Sequence, residues 1–286
     1  MGSMRSALTA LVLSAEPSIR KVVLRGHLLL GKRDQDLKIT LIAQTFMTGT
    51  IPASINGTKF DDRFVEDFYN SSEGNIQDPD LLAEFAGRSC YQAWDLPNPK
   101  TANNAGYLDN IINQGHFSVL EHASATFYVE GVSRSLTHEL IRHRHLSYSE
   151  LSQRYVDVSD ANVVLPPAFR ENLVPGDKKD ATVTLRDYDS DIVEDYEMFA
   201  AALFQAGCTR KQAREAARAI LPNMTETKIV VTGNMRAWRD MLGKRYHVAA
   251  DAEIREFATA ILGELRRIAP HSFQDFPDKP FGSDAA

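Results

Sequence analysis

Cysteine is almost missing from this 286-residue chain, which holds only Cys90 and Cys208. Two such residues supply neither a disulfide framework nor the paired spacing of a zinc site, and they point to a reducing cytoplasm. They also leave little for thiol chemistry, because a nucleophilic thiolate needs a basic partner to ionise it. Cys208 has Arg210 and Lys211 nearby, but AGCTRK reads as a turn between helices, where a structural thiol is expected. Long apolar runs are lacking too; none approaches the ~18 to 20 residues that cross a bilayer, so no membrane partner is expected. Nor is there an excess of positive charge. The formal net charge of -6 argues against binding a nucleic-acid polymer, which needs a dominant basic face.

What is present suffices for a large core. With 43% hydrophobic residues, the chain can bury one domain or two closely joined ones. Strand and helix signals alternate without internal repeats. LKITLIAQTF reads as a first strand, PDLLAEFAGRSCYQAW as a helix with Leu82, Phe85 and Ala86 on one side, and NAGYLDNIINQG as a helix ended by Gly115. VLPPAFRENLVPGDKKD has the prolines and charges of an exposed loop. Beyond it, TVTLRDYDSDIVEDYEMFAAALFQAG, TRKQAREAARAI and DAEIREFATAILGELRRIA are amphipathic helices, with KIVVTGN a short strand among them. The expected class is α+β (α/β), a mixed sheet with a helix-rich second half.

The chemistry concentrates in RHRHLSYSELSQRY, from Arg142 to Tyr155, with three arginines, two histidines and three serines against one carboxylate, Glu150. Guanidinium forks and hydroxyls together suit a phosphate or a phosphorylated cofactor. An arginine-rich run can also be a solvated surface. The flanks speak against that here. In HASATFYVEGV, Ala123, Ala125, Phe127 and Val129 alternate with Ser124, Thr126 and Tyr128, as in a half-buried strand. Ser133 can then cap a helix through SRSLTHELIRHR, in which Val132, Leu136 and Leu140 recur every fourth residue. The basic run thus falls where a packed helix ends.

Two further segments carry candidate groups. In TRKQAREAARAI, helical spacing sets Lys211, Arg214 and Arg218 on one stripe and Ala213, Ala216, Ala217 and Ile220 on another, with Glu215 available to pair Lys211 or Arg218. In GHFSVLEH, His116, His122 and Glu121 could suggest a metal, but no HExxH pattern or cysteine pair accompanies them, so no metal site is expected.

The spacing RHRxxSxxExSxRY, matched by Arg142, His143, Arg144, Ser147, Glu150, Ser152, Arg154 and Tyr155, closely resembles the signature of flavin-dependent thymidylate synthases. GHFSVLEH, REAARAILP, TGNMRAW and Arg245 follow the family pattern in order, so the resemblance runs from about Leu37 to Phe273. It implies reductive methylation of dUMP to dTMP, with FAD, NADPH as reductant and 5,10-methylenetetrahydrofolate as carbon donor. It implies a cytoplasmic homotetramer with active sites at subunit interfaces and small-molecule substrates only. By the same resemblance, His116 lies against the flavin, and Ser118, Arg142, His143, Arg144, Glu150, Asn234, Met235, Arg236 and Asp240 contact it. Glu139, Leu140, Ile141, Arg142, Glu150, Leu151, Ser152, Gln153, Arg154, Arg218 and Arg245 line the dUMP site, with Arg218 reaching a neighbouring subunit's phosphate. Arg245 matches the arginine taken to activate the uracil ring. A guanidinium suits that task, since it stays protonated and can stabilise charge spreading over the pyrimidine; its bland alternative is a surface pair with Asp240 or Asp251. Asp240 stands where relatives usually carry asparagine or histidine, and Ala249 where they often carry histidine.

The synthase domain is expected over residues 37–275, followed by a C-terminal tail at 276–286. Residues 1–36 read as a tag-like MGSM and a flexible extension, whose Arg5 and short apolar run imitate a secretory leader. Two other classes share the basic cluster. A nucleotide-binding regulator would keep the arginines without a redox cofactor, and a metal-dependent phosphohydrolase would draw on His116, His122 and His143.

Overall fold

In the computed structural model, residues 36–48, 77–94, 98–170 and 178–283 are described. In chain order the elements are β1 (Lys38–Gln44), α1 (Asp78–Tyr91), α2 (Asn104–Asn113), β2 (Ser124–Ser133), α3 (Arg134–Leu140), β3 (Ser147–Glu150), α4 (Pro167–Arg170), α5 (Lys178–Gln205), α6 (Arg210–Ala217), β4 (Glu226–Asn234), α7 (Met235–Arg245) and α8 (Ala252–Ile268). They form two compact units. One, the sheet unit, is drawn from segments 37–130, 136–150 and 228–286; the other, the helical unit, chiefly from segments 131–135 and 151–227. The expected extension at 1–36 lies almost wholly outside the described residues.

The four strands are ordered β1-β2-β4-β3. β1 runs antiparallel to β2, with Lys38 opposite Glu130 and a register shift between Leu41 and Ala43; β3 runs antiparallel to β4, with Ser147 opposite Thr232. Cross-strand side chains give the direction of the central pair. Thr126 bonds Thr232 through hydroxyls 2.9 Å apart, and Lys228 reaches Glu130 at 2.9 Å. Four residues forward on β2 correspond to four backward on β4, so this pair is antiparallel as well. The α+β class and the helix-rich second half are as expected, but the sheet is antiparallel rather than mixed. The period-2 signals fit either direction, and the strands meet without the crossover unit that parallel pairing needs.

Within the sheet unit, the alternation in β2 buries Ala125, Phe127 and Val129, and β4 answers with Ile229 and Val231. α7 lays Met235, Trp238, Met241 and Leu242 inward, and Trp238 meets Phe127 edge-on at 5.4 Å. α8 buries Ile254, Phe257, Ala258, Ile261, Leu262, Leu265 and Ile268 at helical spacing, the large ones stabilising by roughly 2 kcal/mol each. Residues expected as a tail are docked here: Phe281 packs on Tyr246 and Phe276, and its N–H donates to the Tyr246 carbonyl.

α1 departs from its apolar pattern. Leu82, Phe85 and Ala86 are only half-buried, while Asp80, Glu84 and Arg88 are turned inward. Their partners come from outside the helix. Asp80 accepts from Ser272 N and Oγ and from His271 N, Asn104 Nδ2 donates to Glu84, and Arg88 donates to Glu84 and to the carbonyls of Ala93 and Thr101. A buried charge is tolerated when it is paired and hydrogen-bonded, which this row achieves.

In the helical unit, Val158, Tyr196 and Ala217 form a small core. α6 buries Ala213 and Ala217, but Ala216 and Ile220 of the expected apolar stripe are exposed, because only one narrow edge of this short helix is covered. Val164 and Leu165, expected in an exposed loop, are buried, and α4 follows them; residues 171–177 lie outside the described residues. Glu226 ties this unit together by accepting from Gly131 N and Asn162 Nδ2.

Candidate active site

Gly115 ends α2 at φ +70, a conformation suited to glycine, and turns the chain into His116. His116 and Ser118 thereby line a cavity of about 320 Å³ in the sheet unit, together with Cys90 and Tyr91 of α1 and Arg236 of α7. Three residues singled out from two segments, His116 and Ser118 of GHFSVLEH and Arg236 of TGNMRAW, share this cavity. Cys90 and Tyr91 were not foreseen as wall residues; they carry no motif, and only the spacing of α1 brings them there. Glu121, weighed in the sequence only as a metal ligand, takes the Arg236 guanidinium with its carboxylate instead. Asn234 turns its side chain to Ala237 N at 2.8 Å and caps α7. Met235 is fully buried and its N–H donates to the Ala123 carbonyl.

A second constellation lies in the same unit around Arg245, the last residue of α7. Its Nη1 donates to Glu139 of α3 at 2.7 Å, its Nη2 to the Glu139 carbonyl at 3.4 Å and its Nε to His143 Nε2 at 3.0 Å. Among the described residues this leaves two of the five guanidinium N–H groups for a ligand. The partner is Glu139, not Asp240 or Asp251: Asp240 binds Lys244 at 2.7 Å and Asp251 caps α8. His143 is 6% exposed, and burial together with Arg245 and Lys244 holds its pKa below the usual histidine value. Its carbonyl and that of Leu140 both accept from the Tyr148 hydroxyl.

The signature is divided between the two units. α3 ends at Leu140, four residues short of the expected helix through Arg144, and Ile141, Arg142 and Arg144 are exposed in the turn that follows. Leu140 is buried, and Glu150 accepts from the Thr137 hydroxyl at 3.0 Å. The remainder belongs to the helical unit, where Leu151, Ser152 and Arg154 are partly exposed and Gln153 is buried. There Arg154 stands 3.8 Å from Glu215, and Arg218 is partly exposed at the end of α6. Among the described residues, no three His, Cys, Asp or Glu side chains gather to hold a metal ion.

A guanidinium held by carboxylate and imidazole, and a cavity edged by guanidinium, imidazole and hydroxyl, offer hydrogen-bond donors suited to a polar organic ligand. The chain belongs to the thymidylate synthase complementing protein family, whose model matches residues 74–271. It is 50% identical over 249 residues to a probable flavin-dependent thymidylate synthase of Mycobacterium phage L5, covering 86% of this chain and 99% of that one. A similarly described protein of Mycobacterium phage D29 is 53% identical over 213 residues, 74% of this chain and 90% of its own. The flavin-dependent thymidylate synthase of Mycobacteroides abscessus is 56% identical over 197 residues, 68% of this chain and 78% of its own. The resemblance read from the signature is borne out.

Proposed function

We propose that this chain is a flavin-dependent thymidylate synthase that methylates dUMP to dTMP, taking carbon from 5,10-methylenetetrahydrofolate and reducing power from NADPH through FAD. The observation that carries the reading is the setting of Arg245: the residue matching the family's activating arginine is held by Glu139 and His143, with two N–H groups that no described residue takes. Aimed at a pyrimidine carbonyl, those groups stabilise the charge that develops as the ring is attacked, and they need no thiolate. Glu139 fixes the guanidinium plane. In the helical unit, the family resemblance makes Arg154 and Arg218, with Ser152 and Gln153, the candidates for holding a nucleotide phosphate.

The donor set of the cavity fits a flavin dinucleotide in kind. Arg236 offers a cation, and His116 and Ser118 offer hydrogen bonds at its wall. At about 320 Å³ it has room for one part of such a molecule rather than the whole. Arg142, Arg144 and Glu150 would hold more of it, whereas Asn234 caps α7, Met235 is buried, and His143 and Asp240 are engaged around Arg245 and Lys244. When bound, FAD supplies the hydride chemistry, which side chains lack. The domain extends over residues 37–275, and the protein works in the cytoplasm as a homotetramer with active sites at subunit interfaces.

The test is the visible spectrum of the purified protein, followed by anaerobic NADPH with and without dUMP and by assay of dTMP. Flavin bands that bleach with NADPH, faster with dUMP, and dTMP formed when the folate is added are the expected results. A colourless protein that takes up no FAD overturns the reading.

A further inference from the structure

Arg245 Nε–H donates to His143 Nε2, so that ring nitrogen must present a lone pair. The imidazole is therefore neutral, with its proton on Nδ1, and Nδ1 stands 3.9 Å from the Asp240 carboxylate. Asp240 is itself held by Lys244 through both oxygens at 2.7 Å. The C-terminal half of α7 thus carries Asp240, Lys244 and Arg245 around a ring that the chain delivers from the turn after α3, and Tyr148 of β3 pins that turn through two carbonyls. We propose that His143 is a positioning residue for Arg245, its Nε2 lone pair aiming the guanidinium at the pyrimidine, while the Asp240 charge 3.9 Å from Nδ1 favours the proton on that nitrogen.

This assignment rests on the dUMP reading for its target, but not for its geometry. Among the described residues, the charged groups acting on the ring are Arg245, Lys244 and Asp240, all from α7, and Glu139 of α3 holds Arg245 from the other side. Protonating Nε2 would replace an acceptor by a donor facing another donor, so Arg245 would lose one of its three anchors. Burial and the two cations oppose that protonation, and Asp240 favours it. The ring therefore stays neutral down to a pH below the ordinary 6.5. Asp240 has a structural task here that does not require it to donate a hydrogen bond.

The experiment combines two readouts. Nitrogen NMR of the His143 ring in the flavin-free protein should give the Nδ1–H tautomer, with that bias weakened in Asp240→Asn. Steady-state kinetics of the holoenzyme from about pH 5 to 8 should give an acid limb in kcat that disappears in His143→Gln, whose amide oxygen keeps an acceptor at any pH. His143→Ala should lose on the order of tenfold to a hundredfold in kcat with a smaller change in KM for dUMP. His143→Gln should recover most of that loss. A ring protonated on Nε2, an acid limb unchanged in His143→Gln, or equal losses in the Gln and Ala variants would overturn the assignment. The tautomer is read on wild-type protein, so it stands if a variant fails to fold. A wild-type protein with the Nδ1–H tautomer that makes no dTMP would instead sink the functional reading and leave the geometry intact.

Discussion

Arg245 and Glu139 lie 106 residues apart in the chain, yet the guanidinium of one donates to the carboxylate of the other at 2.7 Å. The pair brings together the end of α7 and the last turn of α3, so the proposed activating arginine is mounted on two elements and not on a loop. A group fixed in that way needs little reorganisation when charge develops beside it.

Arg245→Ala should therefore lower turnover by roughly a hundredfold to a thousandfold, as loss of a preorganised donor does elsewhere. Flavin absorbance of the purified variant should stay near wild type. Normal dTMP formation by a flavin-loaded variant would remove Arg245 from the reaction.

Gly87→Ala should weaken the fold and the cavity together. A Cβ at this position would sit 2.3 Å from the Tyr107 hydroxyl, and the Tyr107 ring is stacked under the Arg88 guanidinium at 4.4 Å. Overpacking of this kind costs about 1–3 kcal/mol. Calorimetry should show a lower Tm, and flavin content should fall, because Gly87 lines the cavity.

Cys90 is exposed in the cavity wall, and Cys208 is partly exposed in the turn between α5 and α6. The double variant Cys90→Ser, Cys208→Ser should keep its turnover, whereas alkylating Cys90 with a bulky maleimide should impede flavin uptake. Loss of turnover in the double variant, with fold and flavin intact, would make a thiol part of the chemistry.

Asp80 sets a pH dependence of stability. Burial pushes its pKa up to about 6, against the opposing donors Ser272 and His271. The folded value exceeds the ordinary 3.8, so the folded state holds the proton more tightly. The contribution is complete below that lower value and is lost as pH rises through about 6. The shift of about two units corresponds to roughly 3 kcal/mol. In urea unfolding, wild-type stability relative to Asp80→Asn should fall between about pH 4 and 6 and then level off. A difference independent of pH would mean that the donors fully offset burial.

Much of this was legible in the sequence because one physical pattern dominated locally. The alternation of β2 fixed which of its residues are buried, and the period of α8 did the same over seventeen residues. Gly115 marked the end of α2, and the signature announced a cluster just beyond a packed helix. β3 escaped notice because SYSE is polar throughout, and its strand character comes from pairing with β4. α1 was misread because its inward row is polar, and the partners that make it tolerable lie up to 192 residues away. The division of the signature between two units also has no local mark: Glu150 and Leu151 are adjacent in sequence and belong to different bodies.

The inward row of α1 constrains how this chain can change. Asp80 is satisfied by Ser272, Glu84 by Arg88 and Asn104, and Arg88 by two carbonyls of the following segment. Replacing any one member strands its partner in a dry interior, so single substitutions are penalised even where the new residue fits the space. Related chains that diverge here should do so in matched sets, exchanging charge, amide and hydroxyl together for an apolar group of the same combined volume.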